Sequence, residues 1–252
     1  MIKKLFLSGR CKEIILGSLL GDGSLKIYKP YKNARFSFRH SIKQKDYFFW
    51  KVEQLKEISG KSHFWEQKPN GLGGVMLRYQ SEVREDLTDL FRLTHKQNKF
   101  TIRRKWLNML TPLSLAIWWL DDGSLIGNGK RGVFCTDSFL LDEQEVLSQY
   151  LNKVWSIKTA IGKIRRQRDG KSVEYYRLWI RSSEELKKFL RIILPYVPVA
   201  KMLPKVLILY KDSELQERWI SEVVQKSLFP KAVIEGYLWE KKRKYKRFQK
   251  MI

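Results

Sequence analysis

The sequence predicts an α+β fold of two similar halves, each ordered αββαββα, followed by a helical extension. Three observations carry that expectation. An apolar run closing on Asp-Gly-Ser-Leu occurs twice, as IILGSLLGDGSL over 14–25 and SLAIWWLDDGSL over 114–125, an offset of 122 − 22 = 100. The offset persists downstream. Pro69-Asn70-Gly71 pairs with Arg168-Asp169-Gly170, Leu77-Arg78-Tyr79-Gln80-Ser81 with Leu178-Trp179-Ile180-Arg181-Ser182, and NKFTI over 98–102 more loosely with VAKML over 199–203. Between these landmarks the hydrophobic period switches between those of helix and strand, in the same order in each half.

The elements follow in turn. The first half opens with an apolar helix over 11–22, then a hairpin over 24–41, an amphipathic helix over 44–58, a second hairpin over 61–81 and a third helix from Glu82. The second half repeats them as a helix over 113–122, a hairpin over 124–138, a helix over 142–155, a hairpin over 158–182 and a helix from Ser183. Ser182-Ser183-Glu184-Glu185 supplies a hydroxyl cap and early acids for that last helix. Gly23 and Gly123, after the two Asp, suit a left-handed helix terminus. Gly17 and Gly21 lie four apart on one face, where small residues admit a second helix. Tyr47, Phe48, Val52 and Leu55 make the helix over 44–58 a sheet-packing element. The domains are then 1–105, 106–204 and a helical extension over 205–252 that ends in the very basic KKRKYKRFQK.

Composition narrows the partners. Fifty Lys and Arg against 26 Asp and Glu give a net charge of +24. Such an excess repels itself unless a polyanion is present, so nucleic acid is the first candidate and an anionic membrane surface the second. Cys11 and Cys135 form no CxxC pair, which argues against a disulfide framework or zinc finger, and His40, His63 and His95 have no metal-ligand spacing. MIKKLFLSGR is not followed by the apolar run of a signal peptide. No stretch of roughly 20 apolar residues exists to span a membrane, so no membrane partner is expected.

The strands have two unlike faces. Phe36, Phe38 and His40 alternate with Arg35, Ser37, Arg39 and Ser41; Leu25 and Ile27 with Ser24, Lys26 and Tyr28; Tyr176, Leu178 and Ile180 with Tyr175, Arg177, Trp179 and Arg181. The second set are residue types that reach base edges and phosphates, and a two-stranded ribbon fits the major groove. A ten-residue strand is about 33 Å long, or about ten base pairs, so two halves would cover roughly twenty. Should the two motif helices pack side by side, Asp22 and Asp122 would meet at their C-terminal ends. The negative spot would attract a divalent cation, and oxygen ligands suit Mg²⁺.

The paired ILGSLLGDG and LAIWWLDDG motifs resemble those of LAGLIDADG homing endonucleases in the single-chain, two-motif form, over about residues 10–205. The resemblance implies a monomer with a saddle of two antiparallel sheets in the DNA major groove, and cleavage across the minor groove that leaves short 3′ overhangs. It implies Mg²⁺, with Mn²⁺ able to substitute, held by Asp22 and Asp122 with help from the backbone carbonyls of Gly21 and Asp121. In the second motif two acids are adjacent, and the Asp-Gly register selects Asp122. DNA contacts are expected from Ser24, Lys26, Tyr28, Arg35, Ser37, Arg39, Arg78 and Gln80, and from Lys163, Arg165, Arg177 and Arg181. Lys99 and Lys201 stand 99 − 22 = 77 and 201 − 122 = 79 residues beyond the acids, where the resemblance implies a basic residue beside the metal; Lys96 is the substitute for Lys99. Two rival functions on the same fold are an RNA maturase that assists intron splicing and a non-catalytic DNA-binding protein. An organelle or the bacterial cytoplasm would suit any of the three.

Overall fold

The computed structural model describes residues 6–68, 74–127, 129–168 and 170–245. It divides into two compact units, Met1–Asp121 and Asp122–Ile252. The second apolar helix therefore packs, all but its last residue, with the first unit.

Unit 1 begins with α1 (Gly9–Leu19), started by Ser8, whose hydroxyl accepts from the Cys11 amide at 3.2 Å. β1 (Gly23–Lys26), β2 (Arg35–Ser41), α2 (Lys45–Gln54), β3 (Phe64–Gln67), β4 (Met76–Gln80) and α3 (Glu85–Thr94) follow. A two-strand hairpin, β5 (His95–Lys96) and β6 (Lys99–Phe100), leads to the short α4 (Arg104–Leu107) and then to α5 (Pro112–Asp122). The antiparallel sheet has the order β1-β2-β4-β3. The third helix starts three residues later than its sequence suggests. The Ser81 and Arg84 amides still donate to Phe36 and Ala34 carbonyls, at 2.9 and 3.0 Å, and keep the chain extended. The turn at Pro69-Asn70-Gly71 lies outside the described residues.

Unit 2 repeats the plan with β7 (Gly123–Ile126), β8 (Arg131–Phe134), α6 (Leu141–Trp155), β9 (Ala160–Arg168), β10 (Lys171–Ile180) and α7 (Ser183–Ile193). Its sheet order, β7-β8-β10-β9, is the order of unit 1 element for element. Ser182 caps α7 as anticipated, its hydroxyl accepting from the Glu185 amide at 3.5 Å. In the other hairpin landmark Asp169 lies outside the described residues, and Gly170 turns the chain with φ +75°. The extension forms α8 (Ser213–Lys226) and α9 (Lys231–Arg243). Both are seated on the unit. Trp219 Nε1 donates to the Val206 carbonyl at 3.3 Å, and the buried Lys241 Nζ to those of Pro204 and Leu207 at 2.6 and 2.7 Å. Residues 246–252, which hold the end of the basic run, are outside the described residues. No described helix is long and apolar enough to cross a membrane.

Period-2 reading of the strands holds. Phe36, Phe38, His40, Leu25, Leu178 and Ile180 are buried, while Arg39 and Lys26 are exposed. Ile27 falls beyond the end of β1 and is exposed. One expectation is overturned. Gly23 and Gly123 do not end helices in a left-handed conformation, since the left-handed glycines among the described residues are Gly127, Gly129 and Gly170. α1 instead closes on Leu20 in the right-handed region, and Gly23 opens β1. Gly23 is required by space, because a Cβ there would stand 2.7 Å from the Ser18 Cβ.

α1 and α5 are in direct contact within unit 1. A Cβ on Gly17 would lie 2.4 Å from the Ser114 carbonyl oxygen and 2.9 Å from the Ile117 Cβ. Ser114 Oγ donates across the contact to the Glu13 carbonyl at 2.9 Å. The bulky Ile117, Trp118 and Trp119 are all fully buried. We predict that Gly17→Ala destabilises the protein by about 1–3 kcal/mol through overpacking, although alanine is otherwise the better helix residue by roughly 1 kcal/mol. Gly236→Ala in α9, where a Cβ meets open space, should stabilise by that smaller amount. Urea unfolding of both variants checks the opposite signs.

Candidate active site

The cross-strand register collects one polar face on the first sheet. Ser24 lies opposite Ser37, Lys26 opposite Arg35, Ser37 opposite Gln80, Arg39 opposite Arg78 and Trp65 opposite Arg78. Two of these are direct like-charge pairs, which destabilise a sheet on their own. No strand residue on this face is acidic. Arg35 Nη1 donates to Gln80 Oε1 at 3.0 Å and its guanidinium lies 5.3 Å from the Tyr31 ring centre. The Nε atoms of Arg35 and Arg78 are buried, with no hydrogen-bond partner among the described residues. A groove runs over this face from Asp22 past Ser24, Lys26, Tyr28, Ser37, Arg39, Arg78 and Gln80. All eight residues expected of this half therefore lie on one surface. Trp65 also lines the groove, a residue that strand alternation in so short a segment did not single out.

At the groove's end the turn after α1 presents Asp22, whose side chain is 38% exposed. Beneath it lies a buried polar cluster. Asp121 has a side chain with no solvent exposure, ion-paired to the equally buried Lys51 of α2 at 3.0 Å. Asp121 Oδ1 also accepts from the Tyr47 hydroxyl at 2.9 Å, and its Oδ2 from the Asp22 amide at 3.4 Å. Burial, and then the Asp121 charge, hold the Tyr47 phenol well above its usual range. His40 closes the cluster, with Nδ1 3.2 Å from Asp22 Oδ2 and Nε2 3.8 Å from Asp121 Oδ1. A Cβ on Gly21 would fall 2.5 Å from the Asp121 Cβ, so only glycine lets α5 come this near.

Sequence alone placed Tyr47 and His40 in the core, and they are buried there, but their polar atoms turn toward carboxylates. The three histidines have no ligand spacing, yet folding brings His40 to Asp22 and Asp121. Donor atoms of these three residues lie within 4.8 Å of one another. Of these, the Asp22 carboxylate and the His40 imidazole are the donors that suit a divalent cation, since the Asp121 oxygens already accept from Lys51 and Tyr47. Lys51 was missed altogether. Its signal was present, since it interrupts the apolar stripe Tyr47-Phe48-Val52-Leu55 at helical spacing, and a lysine there requires a buried acid.

In unit 2 the Asp122 carbonyl accepts from the Cys135 amide at 3.0 Å, and the residue is half-buried. The anticipated basic residues are divided between faces. Lys163 and Arg165 lie opposite Tyr176 and Glu174, on the side of Leu178 and Ile180, whereas Arg177 lies on the other. Lys163 and Arg165 thus do not share a face with Arg177; Arg166 does. Arg177 makes a two-point pair with Asp137, Nη2 to Oδ2 at 2.6 Å, and Arg166 Nη1 reaches the same Oδ2 at 3.3 Å. Glu174 pairs with Lys163 and Arg165 at 2.6 and 2.9 Å. Arg177 holds the Asp137 carboxyl below its ordinary range, and Lys163 and Arg165 do so for Glu174. Arg181 is exposed just beyond β10. Lys99 and Lys96 are exposed across the two-residue turn of Gln97 and Asn98, whose φ are +49° and +62°. Lys201 is exposed in a 3-10 turn over Ala200–Lys205.

A duplicated αββαββα order with an Asp closing each apolar motif defines the LAGLIDADG class of proteins. The chain belongs to the LAGLIDADG DNA endonuclease family, whose profile matches residues 12–189. It is 29% identical over 217 residues to a protein RecA of Mycobacterium gastri, covering 79% of this chain and 48% of that protein. The chain spans about half the length or less of the curated RecA relatives it matches. It is 27% identical over 173 residues to the DNA endonuclease I-ChuI of Chlamydomonas applanata, covering 60% of this chain and 76% of that one. The homing endonuclease I-WcaI bound to its DNA recognition sequence shares the fold with a TM-score of 0.68 at 24% identity, over 82% of this chain and 89% of that one.

A buried ion pair gives a further prediction. Lys51→Met removes the cation ion-paired to the buried Asp121 carboxylate at 3.0 Å, and should cost about 3–5 kcal/mol. Adding Asp121→Asn should recover most of that loss. Denaturant melts of the single and double variants test it; equal stability of Lys51→Met and the parent would be incompatible with the pair.

Proposed function

We propose that this protein is a monomeric endonuclease that cuts double-stranded DNA at a long specific site, of roughly twenty base pairs, with divalent metal. The observation that carries the reading is the acid-free face of the first sheet, where Lys26–Arg35 and Arg39–Arg78 stand as like-charge pairs beside the exposed Asp22. A row of phosphates would relieve that repulsion, and Ser24, Ser37 and Gln80 supply neutral donors and acceptors for base edges. Family membership agrees with it. On the second sheet Arg177 and Arg181, with Arg166, are the corresponding contacts, and Lys163 and Arg165 would reach the duplex only from the hairpin's other face.

Asp22 and Asp122 are the carboxylates we assign to the metal, with the carbonyls of Gly21 and Asp121 in support. Bound Mg²⁺, or Mn²⁺ in its place, supplies an activated water and neutralises charge on the scissile phosphate. The Asp121 side chain is committed to Lys51 and Tyr47, which supports Asp122 as the second carboxylate. Lys99 and Lys201 are the candidates to polarise water or steady the phosphate. A randomised duplex library, incubated with and without Mg²⁺ and sequenced at its ends, tests the whole reading: a single recurrent site with 3′ overhangs is expected. No cutting in Mg²⁺ or Mn²⁺ would sink it.

Asp22→Asn and Asp122→Asn should abolish double-strand cutting and keep duplex affinity within about tenfold, because other side chains make the phosphate and base contacts. Lys99→Met and Lys201→Met should slow cutting by about 10²-fold with little loss of binding. Arg39→Ala and Arg78→Ala should each lower the slope of log K against log salt by about 0.9. Filter binding across a salt series measures it, and a slope that stays unchanged removes these arginines from the interface.

A further inference from the structure

We propose that His40 is a ligand of the ion at Asp22, so that this position is a mixed nitrogen–oxygen site favouring a borderline ion such as Zn²⁺ over Mg²⁺. The proposal rests on the assignment of Asp22 as a metal carboxylate and adds to it the chemical identity of the ion.

His40 is 2% exposed, and among the described residues neither ring nitrogen has a hydrogen-bond partner. Two unsatisfied nitrogens in a buried ring are costly, because a buried polar atom that loses water normally regains a partner. Nδ1 faces Asp22 Oδ2 at 3.2 Å without hydrogen-bond geometry. Two neighbouring ligands of one ion, each at about 2.0–2.2 Å, stand about 3 Å apart. The contact has the spacing of two ligands beside a common ion.

The far side of the ring fits the same role. Nε2 points to the Asp121 carboxylate at 3.8 Å. A ligating imidazole commonly has a carboxylate behind its other nitrogen, which fixes the tautomer and makes the ligand more basic. Asp121 is suited to that outer position and not to the ion itself, since Lys51 and Tyr47 already donate to it. The ring is also held in place. His40 sits in β2 between β1 and β4, and its ring lies 5.4 Å from that of Phe38 and 5.1 Å from that of Tyr47. Imidazole suits Zn²⁺ and the later transition ions, whereas Mg²⁺ prefers oxygen.

The test is metal binding by the full chain without DNA, so that no cutting is involved. Zn²⁺ and Mg²⁺ are titrated calorimetrically into the parent, His40→Ala, His40→Gln and Asp22→Asn. We expect the His40 variants to lose tenfold or more in Zn²⁺ affinity and less than about threefold in Mg²⁺ affinity. Equal loss for both ions, or no loss for either, overturns the His40 proposal while leaving Asp22 in place. Unchanged metal binding in Asp22→Asn overturns the Asp22 assignment itself, and His40 with it. Should the His40 variants fail to fold, the parent gives the answer. It has three histidines, and Zn²⁺ should move the ¹⁵Nδ1 resonance of His40 alone; three unmoved rings overturn the proposal.

Discussion

The approach of α5 to α1 inside the first unit fixes the geometry on which the rest depends. With no room for a Cβ at Gly17 or Gly21, the end of α5 is pressed against the turn that carries Asp22. Contact this close pushes the Asp121 carboxylate out of water. A lone buried charge there would be prohibitive, so α2 must present Lys51 and Tyr47 to it. Buried pairs of this kind seldom add net stability, because desolvation offsets most of their attraction. What the pair supplies is register: α2, α5 and the Asp22 turn can meet in only one way if every donor is to be used.

The sheets carry the same strand order and opposite electrostatic solutions. On the first, Arg39 faces Arg78 and Lys26 faces Arg35, with no acid between them. The repulsion is tolerable because these side chains reach solvent, where screening is strong. On the second, Asp137 takes up Arg177 and Arg166, and Glu174 takes up Lys163 and Arg165. The Glu174 pairs are exposed and add little stability, whereas Arg177 and Asp137 are mostly buried; both sets hold long side chains in fixed positions along the β9–β10 hairpin. The first face is left with charge to spend on phosphate; the second has already committed part of its charge.

Much of this was legible in the sequence because the repeat doubled every weak signal. One Asp-Gly after an apolar run means little, and two at an offset of 100 residues set the order of elements in both units. Strand alternation placed Phe36, Phe38 and Leu178 inside and Arg39 outside, since period 2 is a property of the backbone. Facing across strands was not legible. Which side Lys163 and Arg165 take depends on the register of β9 against β10, and a shift of one residue reverses it. The buried cluster was hidden for a different reason. Asp121 lies 70 or more residues from His40 and Lys51 in the chain, and those two sit in apolar patterns that read as core. The left-handed glycine expected after each Asp failed because crowding by Ser18, and not backbone conformation, is what requires Gly23.

The adjacent acids of the second motif show how one helix end can serve two purposes. Successive side chains on a helix diverge by about 100°, so Asp121 and Asp122 cannot face the same neighbours. Asp121 turns inward, where four donor contacts, two of them from Lys51, satisfy both oxygens. Its carboxylate can neither leave that cluster nor bind a second cation without stranding the Lys51 ammonium in the core. The first motif has Gly21 at the equivalent place, and a side chain there would collide with Asp121 itself. The asymmetry between Gly21-Asp22 and Asp121-Asp122 is therefore one steric fact: unit 1 has space for a single inward carboxylate at this contact, and α5 supplies it.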